Sequence, residues 1–571
     1  MLLAWPAKAT PAPQPERALQ HARVLVDDIG PRPAGSEPAR RAAQYVADAF
    51  TRIGLVVERI PIGKQDVPEV RVMDDVVMEA RTIELDDETI VVRIPATTDA
   101  RLPAIVVMAH VDTVEGTPGA VDNAAAVGVL IELGRSLHET SSRPHDVVLA
   151  ATACEEHGLV GARSLVARLV PDNVAVAISL DLIGGTGALT LNGLSSNLGD
   201  VWLDRIARAA TTAEVGIEAP LTHQVVSRLL PQIERSDHGP FTALGIPAFH
   251  LYNRGPRRID LHYHRPGDTF ERIDARSMQA TLAMLRAFVL DEAALPTGPG
   301  EPATWLPLGN TTVVRDGVLF VIELLVLAWC VLGVHRAART GGVPLRERLT
   351  SGALVWCIAI TAWTIAIGVE TLVLAMGAHP QPWIHAPGPW TVATLVLVGA
   401  LLAAAAPWLR GASHLSASAG ASAITIAALP GVLLLWFDIV ALAWVPLAQA
   451  GMLAAIGWMS RPRTRALLLG AAMLPAWACV DPDLLREAAF HHFLPSAPLV
   501  VILVVPFLAT SVVATRMLAA VRPSARMRVI IVATAVGGWI AIAFASGATG
   551  RQCSAQRYAD DGLACELDPR E

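Results

Sequence analysis

Residues 104–113 read Ala-Ile-Val-Val-Met-Ala-His110-Val111-Asp112-Thr113. Six apolar residues in a row, broken abruptly by a histidine and an aspartate, describe a strand buried on both faces that ends in chemistry. Similar apolar runs lie at 90–94, 146–153, 175–180 and 246–251. Helical periodicity fills 124–137, 160–169, 200–212 and 275–290, and precedes the strands at 16–29 and 37–53, where Ser36 stands as an N-cap. Buried strands alternating with helices predict an α/β fold, with a mostly parallel central sheet covered by helices on both faces.

This pattern occupies residues 16–295, after a Pro-rich leader (1–15) and before a Pro/Gly-rich linker (296–316). The composition then changes. Over the 571 residues, 53% are hydrophobic and only 17% charged, and the excess of apolar residues lies beyond 316. The reading there is an all-α polytopic membrane domain over 317–548 followed by a polar tail, 549–571. Candidate spans are 317–334, 353–377, 391–408, 419–437, 439–459, 466–482, 498–515 and 528–547. The run 419–459 is divided at Asp438, because a single helix of that length would reach about 60 Å across a core of about 30 Å.

Arginines cluster after alternate spans: Arg336, Arg339, Arg346 and Arg348; Arg410; Arg461, Arg463 and Arg465; Arg516, Arg522, Arg526 and Arg528. Those loops are therefore expected in the cytoplasm, and the α/β domain and the tail outside it. Cys553 and Cys565 in that tail would pair in an oxidising compartment. Export of the α/β domain needs a signal, so a further span upstream of Met1 is expected. Glu323, Glu370 and Asp438 all fall on the side assigned to the α/β domain. The net charge of −7 offers no reason to expect nucleic acid as a partner; the lipid bilayer is the partner this composition implies.

Acidic and imidazole groups recur where the strands end. His110 and Asp112 follow the first; Asp122 and Asn123 open the next helix; Glu155 and Glu156 follow the strand at 146–153; Asp181 follows that at 175–180; Tyr263 and His264 come late. The carboxyl ends of parallel strands are where open α/β sheets hold ligands. Two divalent ions about 3.5–4 Å apart need a bridging carboxylate with further ligands on each side. Asp122 can bridge, with His110 and Asp181 completing one ion and Glu156 and His264 the other. Glu155 is then left to deprotonate water, and Asp112 can orient the His110 imidazole.

The stretches AHVDT, PGAVDNAAA, CEEHGLVGA, LDLIGG, SDHGPF and YHRPGDT resemble zinc metallopeptidase family 28, which includes bacterial leucyl aminopeptidases and aminopeptidase Y. The resemblance covers about residues 16–295. It implies a di-zinc exopeptidase, two Zn²⁺ as cofactors, peptide substrates, and an aminopeptidase activity. It carries the ligand roles onto His110, Asp122, Glu156, Asp181 and His264, the base onto Glu155, and an oxyanion donor onto Tyr263. Asp237 and His238 are read as structural or outer residues. Val121 stands where the family often has a second acidic residue, Cys154 before the glutamates is unusual, and Arg254, Arg257 and Arg258 make the loop before His264 basic. The attached membrane half is similar, in architecture, to the multi-spanning branch found in vacuolar and endoplasmic-reticulum membranes. Two alternatives are a glutaminyl cyclase on the same scaffold, which typically has Trp in place of Tyr263, and a receptor-like domain without catalysis.

Overall fold

The computed structural model describes residues 13–63, 65–73, 76–97, 103–169, 174–192, 198–220, 236–254, 262–306, 312–339, 357–365, 387–405, 415–436, 440–459, 461–472 and 524–550, with a few isolated positions besides. Two compact units divide the chain, Met1–Asp316 and Gly317–Glu571.

In the first unit, α1 (Pro15–Arg23) continues through one wider turn at Val24–Ile29, and α2 is Glu37–Ile53. The Ser36 hydroxyl accepts the Ala39 N–H at 3.2 Å, as its N-cap position predicts. Ser36→Ala is expected to lower the unfolding free energy of this unit by about 1 kcal/mol, as read from denaturant midpoints. Strands β1 (Val57–Pro61), β2 (Gln65–Met73), β3 (Val76–Leu85) and β4 (Glu88–Ile94) follow. Next come β5 (Ala104–His110), α3 (Ala125–His138), β6 (Val147–Thr152), α4 (Val160–Leu169) and β7 (Val174–Leu180). The unit continues with β8 (Ala188–Asn192), α5 (Asp200–Thr212), β9 (Ile217–Glu218), β10 (Ala248–Arg254) and α6 (Ala275–Leu290).

Eight strands form one mixed sheet in the order β1-β4-β6-β5-β7-β10-β8-β9. The four central strands β6, β5, β7 and β10 are mutually parallel, while β4 joins β6, and β8 joins β10, antiparallel. The expected parallel sheet is thus its centre, and its edges are mixed.

Strand alternation sorts the core into two layers. Ile105, Val107 and Ala109, with Leu149, Ile178 and Phe249, pack in the larger core together with residues of α1, α2, α3, α5 and α6. Val106, Met108, Ala150, Ala177 and Ala248 pack on the other side with Leu165 and Leu169 of α4 and with Phe241 of the short helix Gly239–Ala243. Helices thus cover both faces. Continuing the second series toward the strand ends, Met108 gives way to His110, Ala150 to Thr152, Ala177 to Ser179 and Asp181, and Ala248 to His250. One layer is therefore apolar over most of its length and polar at the carboxyl ends.

Of the segment 296–316, expected as a linker, the described residues 296–306 and 312–316 belong to this unit. Short strands β11 (Ala303–Trp305) and β12 (Val313–Arg315) pair antiparallel. Trp305 is buried in the larger core, and its backbone is held on both sides by the Gln224 amide, at 2.8 and 2.9 Å. Arg315 reaches Asp200 of α5 at 2.6 Å. Anchoring a bulky indole overrides the loop bias of the surrounding prolines and glycines.

In the second unit, one helix among the described residues is long and apolar enough to cross a membrane: Asp316–Ala337, with a mean hydropathy of 2.6. Shorter apolar helices are Ala423–Trp436 and Ala443–Ile456. The expected eight-span domain is thus reduced to one candidate span there. The expected spans at 353–377 and 466–482 lie largely, and 498–515 wholly, outside the described residues, as do Glu370, Asp438, Cys553 and Cys565. Helices do occupy Pro387–Ala405, Leu415–Trp436, Val440–Ile456 and Ala525–Gly550. Gly431 faces Leu447 and Ala443, which folds the two helices on either side of position 438 into an antiparallel pair. Val326 lies beside Gly451, Gly333 beside Ala454, and the Arg336 guanidinium 4.1 Å from the Trp458 ring centre. These contacts advance together in both helices, so Asp316–Arg339 and Val440–Ile456 run in the same direction. Glu323 is buried within this unit.

Candidate metal centre

The predicted residues converge at the carboxyl ends of β5, β6 and β7. His110 is the last residue of β5, and its Nε2 lies 3.2 Å from Asp122 Oδ1 and 3.6 Å from Asp181 Oδ1. His264 comes from a different part of the chain, yet its Nε2 lies 3.3 Å from Asp122 Oδ2 and 3.1 Å from Glu156 Oε2. Asp122 therefore turns one oxygen to each imidazole, with one further carboxylate beside each. Ligand atoms of His110, Asp122 and Glu156 lie within 4.8 Å of one another, as do those of His110, Glu155 and Asp181.

This donor set fits divalent metal. Two imidazoles and several carboxylates are concentrated in a buried space, where unpaired anions would be costly. Glu156 Oε1 is buried with no hydrogen bond, a donor atom that an ion would satisfy. Burial raises the Glu155 carboxyl well above the ordinary glutamate range, and neighbouring Asp181 and Glu156 push it the same way. Burial opposes the charged form of His264, but Glu156 and Asp122 outweigh it and raise the imidazole to about 10. The Tyr263 ring stacks on His264 with centres 3.7 Å apart; burial, then the Asp122 and Glu156 carboxylates, keep its phenol protonated.

The surrounding residues explain how the ligands are aimed. The His110 Nδ1 lies 3.1 Å from the backbone carbonyl of Asp112 and 3.8 Å from its carboxylate. The expected contact to the Asp112 side chain is therefore the weaker of the two. The carboxylate instead accepts the backbone N–H groups of Glu155 at 3.1 Å and Glu156 at 3.2 Å, fixing both glutamates to the β5 loop. Cys154, at a left-handed φ of 55°, donates its thiol to Asp87 at 3.1 Å, and Asp87 also accepts the Gly35 N–H. Asn123 reaches the Leu180 carbonyl at 2.7 Å, tying the Asp122 turn to the end of β7. Asp237 accepts the Thr152 hydroxyl at 2.5 Å, and burial raises its carboxyl to about 6. His238 stacks on His250 at 5.7 Å. Among the described residues, the grouped ligand atoms include neither Asp237 nor His238. Of the basic loop, residues 255–261 and the Arg254 side chain lie outside the described residues.

Arg32 stands outside every motif that the sequence offers. Wholly buried, its guanidinium donates to the carbonyls of Val111 (2.7 Å), Leu25 (3.2 Å), Gly30 (3.1 Å), Pro118 (2.6 Å) and Gly119 (3.0 Å). One side chain thus joins the chain after His110 to the turn before Asp122. That turn needs Gly119, whose φ is +64° and where a Cβ would meet the Asp122 carbonyl at 2.5 Å. The sequence clue was Arg32 between Pro31 and Pro33, which by itself names no partner. Arg32→Met strands buried carbonyls and is expected to cost about 3–5 kcal/mol of stability, seen as a lowered unfolding midpoint.

Residues 89–289 match the family model "Peptidase family M28". The chain is 26% identical over 251 residues to aminopeptidase YwaD of Bacillus subtilis, a match covering 42% of this chain and 52% of that protein. It is 28% identical over 210 residues to a Schizosaccharomyces pombe protein named as an inferred endoplasmic reticulum metallopeptidase 1, covering 34% of this chain and 25% of that protein. The chain thus spans about half, or less, of the curated relatives it matches. Among solved structures, the aminopeptidase from Aneurinibacillus sp. strain AM-1 gives a TM-score of 0.40 at 17% identity, covering 50% of this chain and 95% of that one.

Proposed function

We propose, from the match of residues 89–289 to the model of peptidase family M28, that the chain is a membrane-anchored di-zinc exopeptidase that removes N-terminal residues from peptides. The observation that carries this reading is Asp122, with its two oxygens 3.2 and 3.3 Å from the two imidazoles. In it, His110, Asp122 and Asp181 hold one ion, and Asp122, Glu156 and His264 the other. Two bound ions would polarise the scissile carbonyl and acidify the attacking water. Glu155, held at its backbone by Asp112, accepts the proton of that water and delivers it to the leaving amine. Tyr263 donates from its phenol to the oxygen that gains charge. Zinc is named for a Bacillus subtilis neighbour, "a zinc aminopeptidase", and it suits a mixed imidazole and carboxylate set.

The apolar helix Asp316–Ala337 would be the anchor. The same-direction packing of Asp316–Arg339 and Val440–Ile456, opposite to Leu415–Trp436, is what alternating spans require and supports the multi-pass reading. Arginine placement then puts the peptidase unit and the C-terminal tail outside the cytoplasm.

The test uses the full chain in detergent, supplied with aminoacyl anilides, N-blocked peptides and N-terminal Gln-peptides. Release of free N-terminal residues, lost on chelation and restored by Zn²⁺, is expected. Cyclisation of Gln-peptides without hydrolysis would select the glutaminyl cyclase alternative. Ligand binding without turnover would select the receptor-like one.

A further inference from the structure

Asp268 lies four residues beyond His264 in the turn that carries this imidazole, and it is buried. Its carboxylate accepts the backbone N–H of Val121 at 2.9 Å through Oδ1 and that of Asp122 at 3.0 Å through Oδ2. Its own carbonyl accepts the Ala120 N–H at 3.2 Å. Three consecutive residues of the Asp122 turn are therefore bonded to one residue of the His264 turn. On the other side of the Asp122 turn, the Arg32 guanidinium holds the carbonyls of Pro118 and Gly119. The turn that presents Asp122 is gripped by an anion on its N–H groups and a cation on its carbonyls.

The His264 turn is itself tightly shaped. At Gly267 a Cβ would stand 2.0 Å from His262 Nδ1, so any side chain there would have to push the His262 ring aside. The Asp268 N–H returns to the Arg265 carbonyl at 3.1 Å, and the Arg265 N–H to the His262 carbonyl at 2.9 Å, which closes the turn on either side of His264. His264 has a left-handed φ of 58°, so its direction depends on this turn being held.

We infer that Asp268 is the positioning residue that couples the two metal positions, by fixing the bridging Asp122 and the His264 turn to each other. The inference rests on the di-zinc reading. Asp268 touches no ion; it sets the distance between a ligand shared by both ions and a ligand of only one. Loss of the clamp frees His264 to move relative to Asp122, while His110 and Asp181 keep their places on β5 and after β7. The ion on the His264 side is the one that suffers.

The experiment is a Zn²⁺ titration of the full chain in detergent after chelation, followed by calorimetry and by metal analysis. Wild type is expected to take up two ions. Asp268→Asn, nearly the same shape but with an N–H group facing an N–H donor, is expected to bind one ion as wild type does and the other about 10–100-fold more weakly. Gly267→Ala, which displaces the same turn and keeps the carboxylate, should give the same selective loss. A general loosening of the fold would weaken both ions together and would overturn the inference. So would two wild-type affinities in Asp268→Asn. A wild-type chain that binds only one ion would instead overturn the di-zinc reading itself.

Discussion

Glu155→Gln is expected to reduce kcat by about 100- to 10,000-fold while both ions remain bound. The amide keeps the shape of the side chain and its backbone tie to Asp112, but it cannot accept a proton. Glu156→Gln should behave differently. Glu156 Oε2 is 3.1 Å from His264 Nε2, so its loss removes a ligand and should release the ion on that side. Metal analysis beside single-turnover rates separates the two. Geometry makes the test necessary, because Glu155 also lies within ligand distance of His110 and Asp181. Equal metal loss in the two variants would mean that the roles of the pair are exchanged or that neither is correct.

Asp122→Ala is expected to take the metal content from two ions per chain to none and to abolish hydrolysis. With the shared carboxylate gone, the proposed ligand pairs left are His110 with Asp181 and His264 with Glu156, too few on either side to close a tight site. Asp181→Ala, by contrast, should cost a single ion, the one beside His110. Retention of one tightly held ion in Asp122→Ala, or unchanged metal in Asp181→Ala, would exclude the bridged dinuclear arrangement.

Much of the fold could be read from local pattern. The bounds of α2, α4, α5 and α6 coincide with the periodic segments, and Ser36 caps α2. The central strands announce themselves by unbroken apolar runs, since burial on both faces removes any polar alternation. Strands β8, β9, β11 and β12 are two to five residues long, too short for a period to emerge. The ligand cluster was legible because each group stands directly at a strand or turn end. The groups that aim it were not. Arg32 acts on carbonyls up to 87 residues away, and Asp268 on N–H groups 146 and 147 residues away. Backbone acceptors and donors are the same at every residue, so the sequence does not mark which of them a distant side chain will seek. Asp112 illustrates the same point: its residue type was noticed, but its main partners are the amides of Glu155 and Glu156 and not the imidazole it was expected to orient.

The position of Arg32 bears on where this unit can be cut. The family match begins at residue 89, yet Arg32, α1 and α2 come earlier in the chain. At the other end Trp305, beyond residue 289, fills part of the larger core. A fragment trimmed to 89–289 would retain every proposed metal ligand and none of these supports. The carbonyls of Val111, Pro118 and Gly119 would lose their donor, and the apolar residues that α1 and α2 cover would face water. The smallest portion suited to transplantation onto another anchor is therefore about 13–316, about half again as long as the recognisable motif region.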